Sequence, residues 1–165
     1  MNLKTMFACL RSMLAVPLAV ALALALALPA TVLADDGLAV VESRYDVAET
    51  EARLVEAVEG KDLTVMAQVD HQANAETVDM EMPATRLVIF GNPKAGTALM
   101  KCAPTVAIDL PMKMLIWQDG DTVKVAYNTA DYLVERHGIG DCAKPVQEKV
   151  RKALDGFARQ AAGAG

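Results

Sequence analysis

The sequence is poor in aromatic residues and has only two histidines and three cysteines among its 165 residues. Aromatic side chains make up 4% of the chain, so nucleic-acid bases would find few stacking partners. The formal net charge of −5 would also repel phosphates. We therefore expect no nucleic-acid partner. The motifs HExxH, GxSxG and CxxC are absent, which removes the usual signatures of zinc proteases, serine hydrolases and thioredoxin-like proteins.

Residues 1–34 have the pattern of a secretory signal peptide. Lys4 and Arg11 make the start basic, residues 13–28 are almost wholly apolar, and a small residue, Ala34, precedes Asp35. The apolar run falls short of the roughly 20 residues that a membrane span needs, although an uncleaved anchor is the alternative. We expect cleavage after Ala34, no stable membrane anchor afterwards, and a periplasmic or secreted protein.

The remaining segment, residues 35–165, suits a single domain. It has 131 residues with 14 basic and 21 acidic side chains, and hence a net charge of −7. A chain of this length can build one hydrophobic core. We find no internal repeat and no low-complexity linker that would mark a second domain.

Hydrophobic periodicity predicts strands and helices in mixed order. Asp46 and Glu49 have capping-box spacing, and Asp119-Gly120 is a hairpin signal between two apolar runs. Strands are predicted over 38–43, 63–70, 87–90, 112–118 and 122–128, the third being buried on both faces. Helices are predicted over 46–60, weakly over 71–79, from 96 or 97 to 103, from 128 or 129 to 138, and over 143–161. This order indicates an α+β domain with about five strands in a mixed or antiparallel sheet and helices packed on it.

Several of these segments also resemble a known family. They are the strand Leu87–Phe90 with the turn up to Thr97, Asp109-Leu110-Pro111-Met112-Lys113, Asp70-His71, Tyr127-Asn128 and Arg136-His137-Gly138. Together they resemble the prokaryotic family called domain of unknown function 302, over residues 45–139. The resemblance supports a family-like core in that range, and the family supplies no accepted ligand.

The turn from Asn92 to Thr97 is the first candidate site. It combines Lys94, Gly96 and a hydroxyl at a predicted helix start, where free amides attract anions. Lys113 could add a second charge. A small, anionic ligand is one interpretation, and a tight Asn-Pro turn with a solvated lysine is the other.

The histidines give the second candidate site. His71 with Asp109 or with His137 could form an acid/base pair, oriented by Lys94 or Lys113, whereas His137 could equally cap a helix end and Asp70 a helix start. Convergence of His71, Lys94, Asp109 and His137 on one cavity would indicate an enzyme, and scattering would indicate a binding module. The predicted ligand-binding set is Asp70, His71, Asn92, Lys94, Gly96, Thr97, Asp109, Lys113, Tyr127 and His137. We expect a small-molecule ligand and no cofactor.

The cysteines and methionines allow two further interpretations. Cys102 and Cys142 are the only thiols left after cleavage and could form a disulfide, which would stabilise the fold by about 4 kcal/mol. Alternatively, thiolates and thioethers could bind Cu(I), with Met80, Met82, Met112 and Met114 as candidate ligands, although alternating methionines of a strand are more often core residues. An unpaired edge strand beside Tyr45 or Thr122 could pair with a second copy, which favours a homodimer.

Overall fold

The computed structural model describes residues 33–35 and 37–164. Apart from Leu33 and Ala34, the predicted signal peptide lies outside the described residues. Its cleavage and the export of the protein stay predictions. Within the described part, no helix is both long and apolar enough to cross a membrane.

Among the described residues, six strands form one antiparallel sheet. They are β1 (Leu33–Asp35), β2 (Leu38–Ser43), β3 (Thr64–Asp70), β4 (Thr85–Gly91), β5 (Met112–Asp119) and β6 (Thr122–Asn128). The strand order is β1-β2-β6-β5-β4-β3, and each neighbouring pair is antiparallel. The five predicted strands are therefore present, and the short β1 adds a sixth.

Five α-helices accompany this sheet in the described part of the chain. They are α1 (Val47–Glu59), α2 (His71–Glu76), α3 (Pro93–Cys102), α4 (Ala130–Arg136) and α5 (Lys144–Ala162). Pro104–Ile108 and Gly140–Ala143 form 3₁₀ turns. The predicted α+β fold of one small domain is confirmed.

Helices α1 and α5 cover one face of the sheet and form the main core with it. Leu54 and Val58 of α1 and Leu154 of α5 are at most 2% exposed. Phe157 of α5 meets Phe90 of β4 edge to face, with ring centroids 5.8 Å apart. Burial of each of these side chains stabilises the fold by about 1.5–3 kcal/mol.

The opposite face of the sheet carries an apolar row that runs in register across five strands. The row and its two flanking residues, which we call the open face, are Val40, Ala126, Leu115, Leu87, Val69, Ile89 and Trp117. All except Ala126 are half-buried. The predicted burial of the third strand on both faces is thus wrong for Leu87 and Ile89, because the two long helices lie on the other side.

The edge strands of the sheet are β1 and β3. The predicted free edge beside Thr122 does not exist, because β6 lies between β2 and β5. In β2, the strand beside Tyr45, residues 38–40 pair with β1, whereas residues 41–43 have no partner on that side among the described strands. Cleavage after Ala34 would remove two of the three β1 residues and expose the β2 edge.

Strand β3 contains a bulge that the alternation of its sequence does not reveal. Val65 pairs with Phe90, but after the irregularity at Met66 the next pair is Ala67 with Ile89. One extra residue reverses the faces of all residues that follow it. Val69, which the strict alternation would place with Val65 in the core, therefore lies on the open face.

Helix α3 begins at Pro93, three or four residues before the predicted start at Gly96 or Thr97. The Asn92 side chain accepts hydrogen bonds from the amides of Lys94 and Ala95, and Pro93 occupies the first helical position, where it is well tolerated. Behind α3 lies a second small cluster of buried residues: Leu99, Val106, Ile139 and Ala143. A disulfide between Cys102 and Cys142, with Cα atoms 5.9 Å apart, ties α3 to the turn before α5.

Candidate functional site

A cavity of about 350 Å³ opens beside the connection between β4 and α3. The ends of the central strands contribute Phe90 and Met112, and α3 contributes Gly96 and Leu99. The long helix α5 closes the far side with Val150, Ala153, Leu154 and Phe157. The cavity thus lies between the sheet, α3 and α5, at the end of the sheet where β4 stops.

The lining of the cavity is almost wholly apolar. Three of its residues are methionines: Met66 in the β3 bulge, Met100 in α3 and Met112 at the start of β5. Methionine is flexible and polarisable, and it adapts to ligands of irregular shape. The lining therefore suits an apolar molecule better than a charged one.

Two polar side chains, Asn92 and Thr97, line the cavity, and both are exposed. The Asn92 oxygen already caps α3, at 2.9 Å from the Lys94 amide and 3.3 Å from the Ala95 amide. The Gly96 amide donates to the Asn92 carbonyl at 3.0 Å. The amides that the sequence pattern assigned to an anion are thus occupied within the helix.

The two lysines predicted to bind an anion do not line the cavity. Lys94 is exposed on the first turn of α3. The ammonium group of Lys113 donates to the carbonyls of Asp109 and Pro111, each at 2.9 Å. The geometry therefore places no lysine charge at the cavity wall.

Asp109 and His137 contact each other in the described structure, whereas neither predicted pair, His71 with Asp109 or His71 with His137, forms a hydrogen bond there. His137 Nε2 lies 2.6 Å from Asp109 Oδ2, and its Nδ1 lies 3.1 Å from Thr105 Oγ1. Arg136 Nε lies 3.5 Å from the same Asp109 oxygen. With Nε2 as the donor to the carboxylate, Nδ1 could accept the Thr105 proton. None of these side chains lines the cavity. Their hydrogen bonds connect the end of α4 to the segment before β5.

Asp70 and His71 lie at the other end of the sheet. Asp70 caps α2 by accepting from the Ala73 amide at 2.8 Å, and it forms an ion pair with Arg86. Arg86 is near the start of β4, whereas Asn92 follows its end, so His71 and the cavity are separated by a strand roughly 20 Å long. Asp70 thus has the structural role that the sequence left open.

The remaining candidates belong largely to the core or to loops. Tyr127 is 6% exposed, and burial raises the pKa of its hydroxyl. Met114 is fully buried in the main core, whereas Met80 is 63% exposed, so these two cannot share one metal ion. Cys102 and Cys142 form the disulfide and offer no thiolate. Of the four methionines predicted for copper, Met112 alone lines the cavity.

No pattern in the sequence indicates that α5 and Met66 contribute to the cavity wall. Val150, Ala153 and Phe157 of α5 read as an ordinary amphipathic helix, and Met66 reads as an exposed strand residue. Their proximity to Gly96 depends on contacts between distant parts of the chain. The turn after β4 was a usable signal, because Asn92, Gly96 and Thr97 all line the cavity.

Comparisons with known proteins show relatives of two kinds. The chain is 40% identical over 113 residues to a protein named fluoride-specific ion channel FluC 1 from Brucella suis biovar 1, and equally so to one of that name from Brucella abortus biovar 1. Each match covers 68% of this chain, but only 44% and 42% of the two relatives. The chain therefore spans less than half the length of these relatives.

A solved structure shares the fold. The crystal structure of an uncharacterised conserved protein DUF302 from Bacillus stearothermophilus aligns with a TM-score of 0.69 and 17% identity, over 76% of this chain and 98% of that one. The family model described as domain of unknown function DUF302 matches residues 39–157, which confirms and extends the resemblance seen in the sequence. Because this match covers well over half of the chain, the chain belongs to the DUF302 family.

Proposed function

We propose that the domain is a binding module for a small, neutral and mainly apolar molecule, which it binds in the cavity between the sheet, α3 and α5. The observation that carries the proposal is the apolar lining of a concave site of about 350 Å³. Ligand pockets of proteins begin at about this size and have this composition, with few polar groups. At about 30 Å³ per heavy atom, as in liquid water, the cavity accepts roughly a dozen heavy atoms.

The polar side chains at the cavity indicate how such a ligand would be oriented. Asn92 and Thr97 are exposed and line the cavity, whereas Phe90, Leu154 and Phe157 are buried. A molecule with one hydroxyl or carbonyl group would direct it towards Asn92 and Thr97 and place its hydrocarbon part among the buried side chains. A periplasmic or extracellular location is part of the proposal and depends on the predicted signal peptide.

The enzyme alternative is weaker because its residues are scattered. His71 lies at the opposite end of the sheet, and Lys94, Asp109 and His137 do not line the cavity. A base must come within hydrogen-bond reach of the substrate to act. The fluoride channel named in the Brucella relatives plays no part in the proposal, because the chain spans less than half of those proteins.

A titration of the protein with hexanol, octanol, decanol and dodecanol by calorimetry tests the proposal. Each methylene group that enters an apolar site contributes about 0.8 kcal/mol, or about fourfold in affinity. We expect that gain with each added methylene until the cavity is full, then a plateau, with a negative heat-capacity change. Absence of binding, or an affinity independent of chain length, would contradict the proposal.

A further inference from the structure

The open face is the side of the sheet on which neither of the two long helices, α1 and α5, packs. In the described part of the chain its apolar side chains, except Ala126, stay partly exposed. A sheet face in water normally carries polar side chains, so that apolar and polar residues alternate along each strand. Here Leu87 and Ile89 alternate with the core residues Val88 and Phe90, and all four are apolar. Strands of this kind are typical of sheets that are buried on both faces.

Charged residues surround the apolar row, and two of their lysines already bind other groups of the same chain. Lys124 forms an ion pair with Asp119 beside Trp117, and Lys113 donates to two main-chain carbonyls. Glu42 pairs in register with Lys124, so charges of opposite sign are neighbours at the rim. The centre of the open face is therefore free of charged side chains, although the protein as a whole is acidic.

We propose that the open face packs against the open face of a second copy of this chain, as a symmetric homodimer. An interface with a two-fold axis needs only one self-complementary patch, and an apolar patch bordered by both signs of charge meets this need. Two sheets pack well face to face, with their apolar side chains interdigitated about 10 Å apart. The dimer would leave the cavity free, because no residue of the open face lines it.

The size of the patch also fits a second copy. With the polar residues at its rim included, the face of five strands about 4.8 Å apart and three alternating rows about 6.8 Å apart spans on the order of 500 Å². Two such faces bury about 1,000 Å², which is the lower limit for a specific protein interface. We therefore expect a dimer that dissociates on dilution through the micromolar range.

Trp117 is the only tryptophan of the chain and lies on the open face, so it reports directly on the interface. We expect its emission to shift to the red on dilution, in parallel with a halving of the mass measured by sedimentation. This experiment needs no substitution, and a misfolded variant therefore cannot confuse it.

A pair of matched variants locates the interface. Leu115→Asp places a charge at the centre of the row, whereas Ile108→Asp makes the same kind of change at a side chain that is 75% exposed on a 3₁₀ turn. We expect Leu115→Asp to weaken the dimer at least tenfold, and Ile108→Asp to leave it unchanged. A monomer at all concentrations would overturn the proposal, whether Trp117 is shielded by another occupant or open to water. A dimer that survives Leu115→Asp unchanged would overturn it as well.

Discussion

A leucine that extends from position 96 into the cavity should strongly weaken the binding of a long-chain alcohol without harming the fold. Gly96 lies in α3, and a Cβ atom placed there would meet Leu110 Cδ1 at 3.7 Å, an ordinary contact distance. Its backbone is not left-handed, since its φ is outside the positive range. A leucine at this position would therefore extend into space that the cavity provides.

The size of the effect follows from the cavity volume. At about 30 Å³ per heavy atom, the four side-chain carbons of Gly96→Leu would occupy about a third of the 350 Å³. Dodecanol has about 13 heavy atoms and would fill the cavity, so loss of room for about four methylene groups costs about 3 kcal/mol, or more than a hundredfold in its Kd. Replacement of a helical glycine by leucine should also stabilise α3, by up to about 1 kcal/mol.

Gly156→Leu is the matched control. Gly156 lies inside α5, and a Cβ atom there would meet no other atom within 4 Å. This variant gains the same helix propensity on an exposed site without entering the cavity. Calorimetry with dodecanol and thermal unfolding of both variants complete the comparison. If Gly96→Leu binds dodecanol as tightly as Gly156→Leu does, the cavity is not the binding site.

Three further predictions concern stability. In urea unfolding, His137→Ala should lower the free energy of unfolding by about 1–3 kcal/mol, because it removes the buried partner of Asp109. His71→Ala should change the free energy of unfolding by less than about 0.5 kcal/mol. Equal losses in the two variants would contradict the assigned contacts. Cys102→Ser should lower stability by up to about 4 kcal/mol under oxidising conditions and not under reducing ones, because the bridge closes a long loop. Burial raises the pKa of Glu51 above its ordinary 4.5, although a nearby arginine acts to lower it. The protonated Glu51 side chain therefore stabilises the fold fully below about pH 4.5, and this stabilisation is lost as the pH rises through the pKa of the folded state. Glu51→Gln should remove this decline from the unfolding free energy measured against pH, and an unchanged profile would refute the assignment.

Local signals in the sequence located most of the secondary structure. Asp46 caps α1 through the Glu49 amide, Thr129 caps α4, and Asp119-Gly120 turns between β5 and β6. Each of these depends on residues a few positions apart, which is why a single sequence can reveal them. The start of α3 was misplaced, because Asn92 was interpreted as a turn residue and not as a helix cap.

The candidate site is harder to predict from the sequence than the secondary structure, because it depends on contacts between distant segments. The sequence analysis proposes acid/base pairs that contain His71, whereas the fold joins Asp109 to His137, a pair that residues 28 positions apart do not reveal. Met66 lies at the bulge of β3 and lines the cavity, and no pattern in the strand indicates the bulge. Lys94 had the charge expected of a ligand-binding group, yet the helix that begins at Pro93 leaves it on the surface.

The most direct test of ligand binding in the cavity uses the methyl groups of the methionines as reporters. Met66, Met100 and Met112 line the cavity, whereas Met80 and Met82 lie in the connection before β4, at the other end of the sheet. In NMR spectra of protein with isotope-labelled methionine methyl groups, octanol should shift the signals of the first three and leave the last two in place. Saturation should follow the calorimetric affinity. Shifts confined to Met80 and Met82, or no shift at any of the three cavity methionines, would contradict the account.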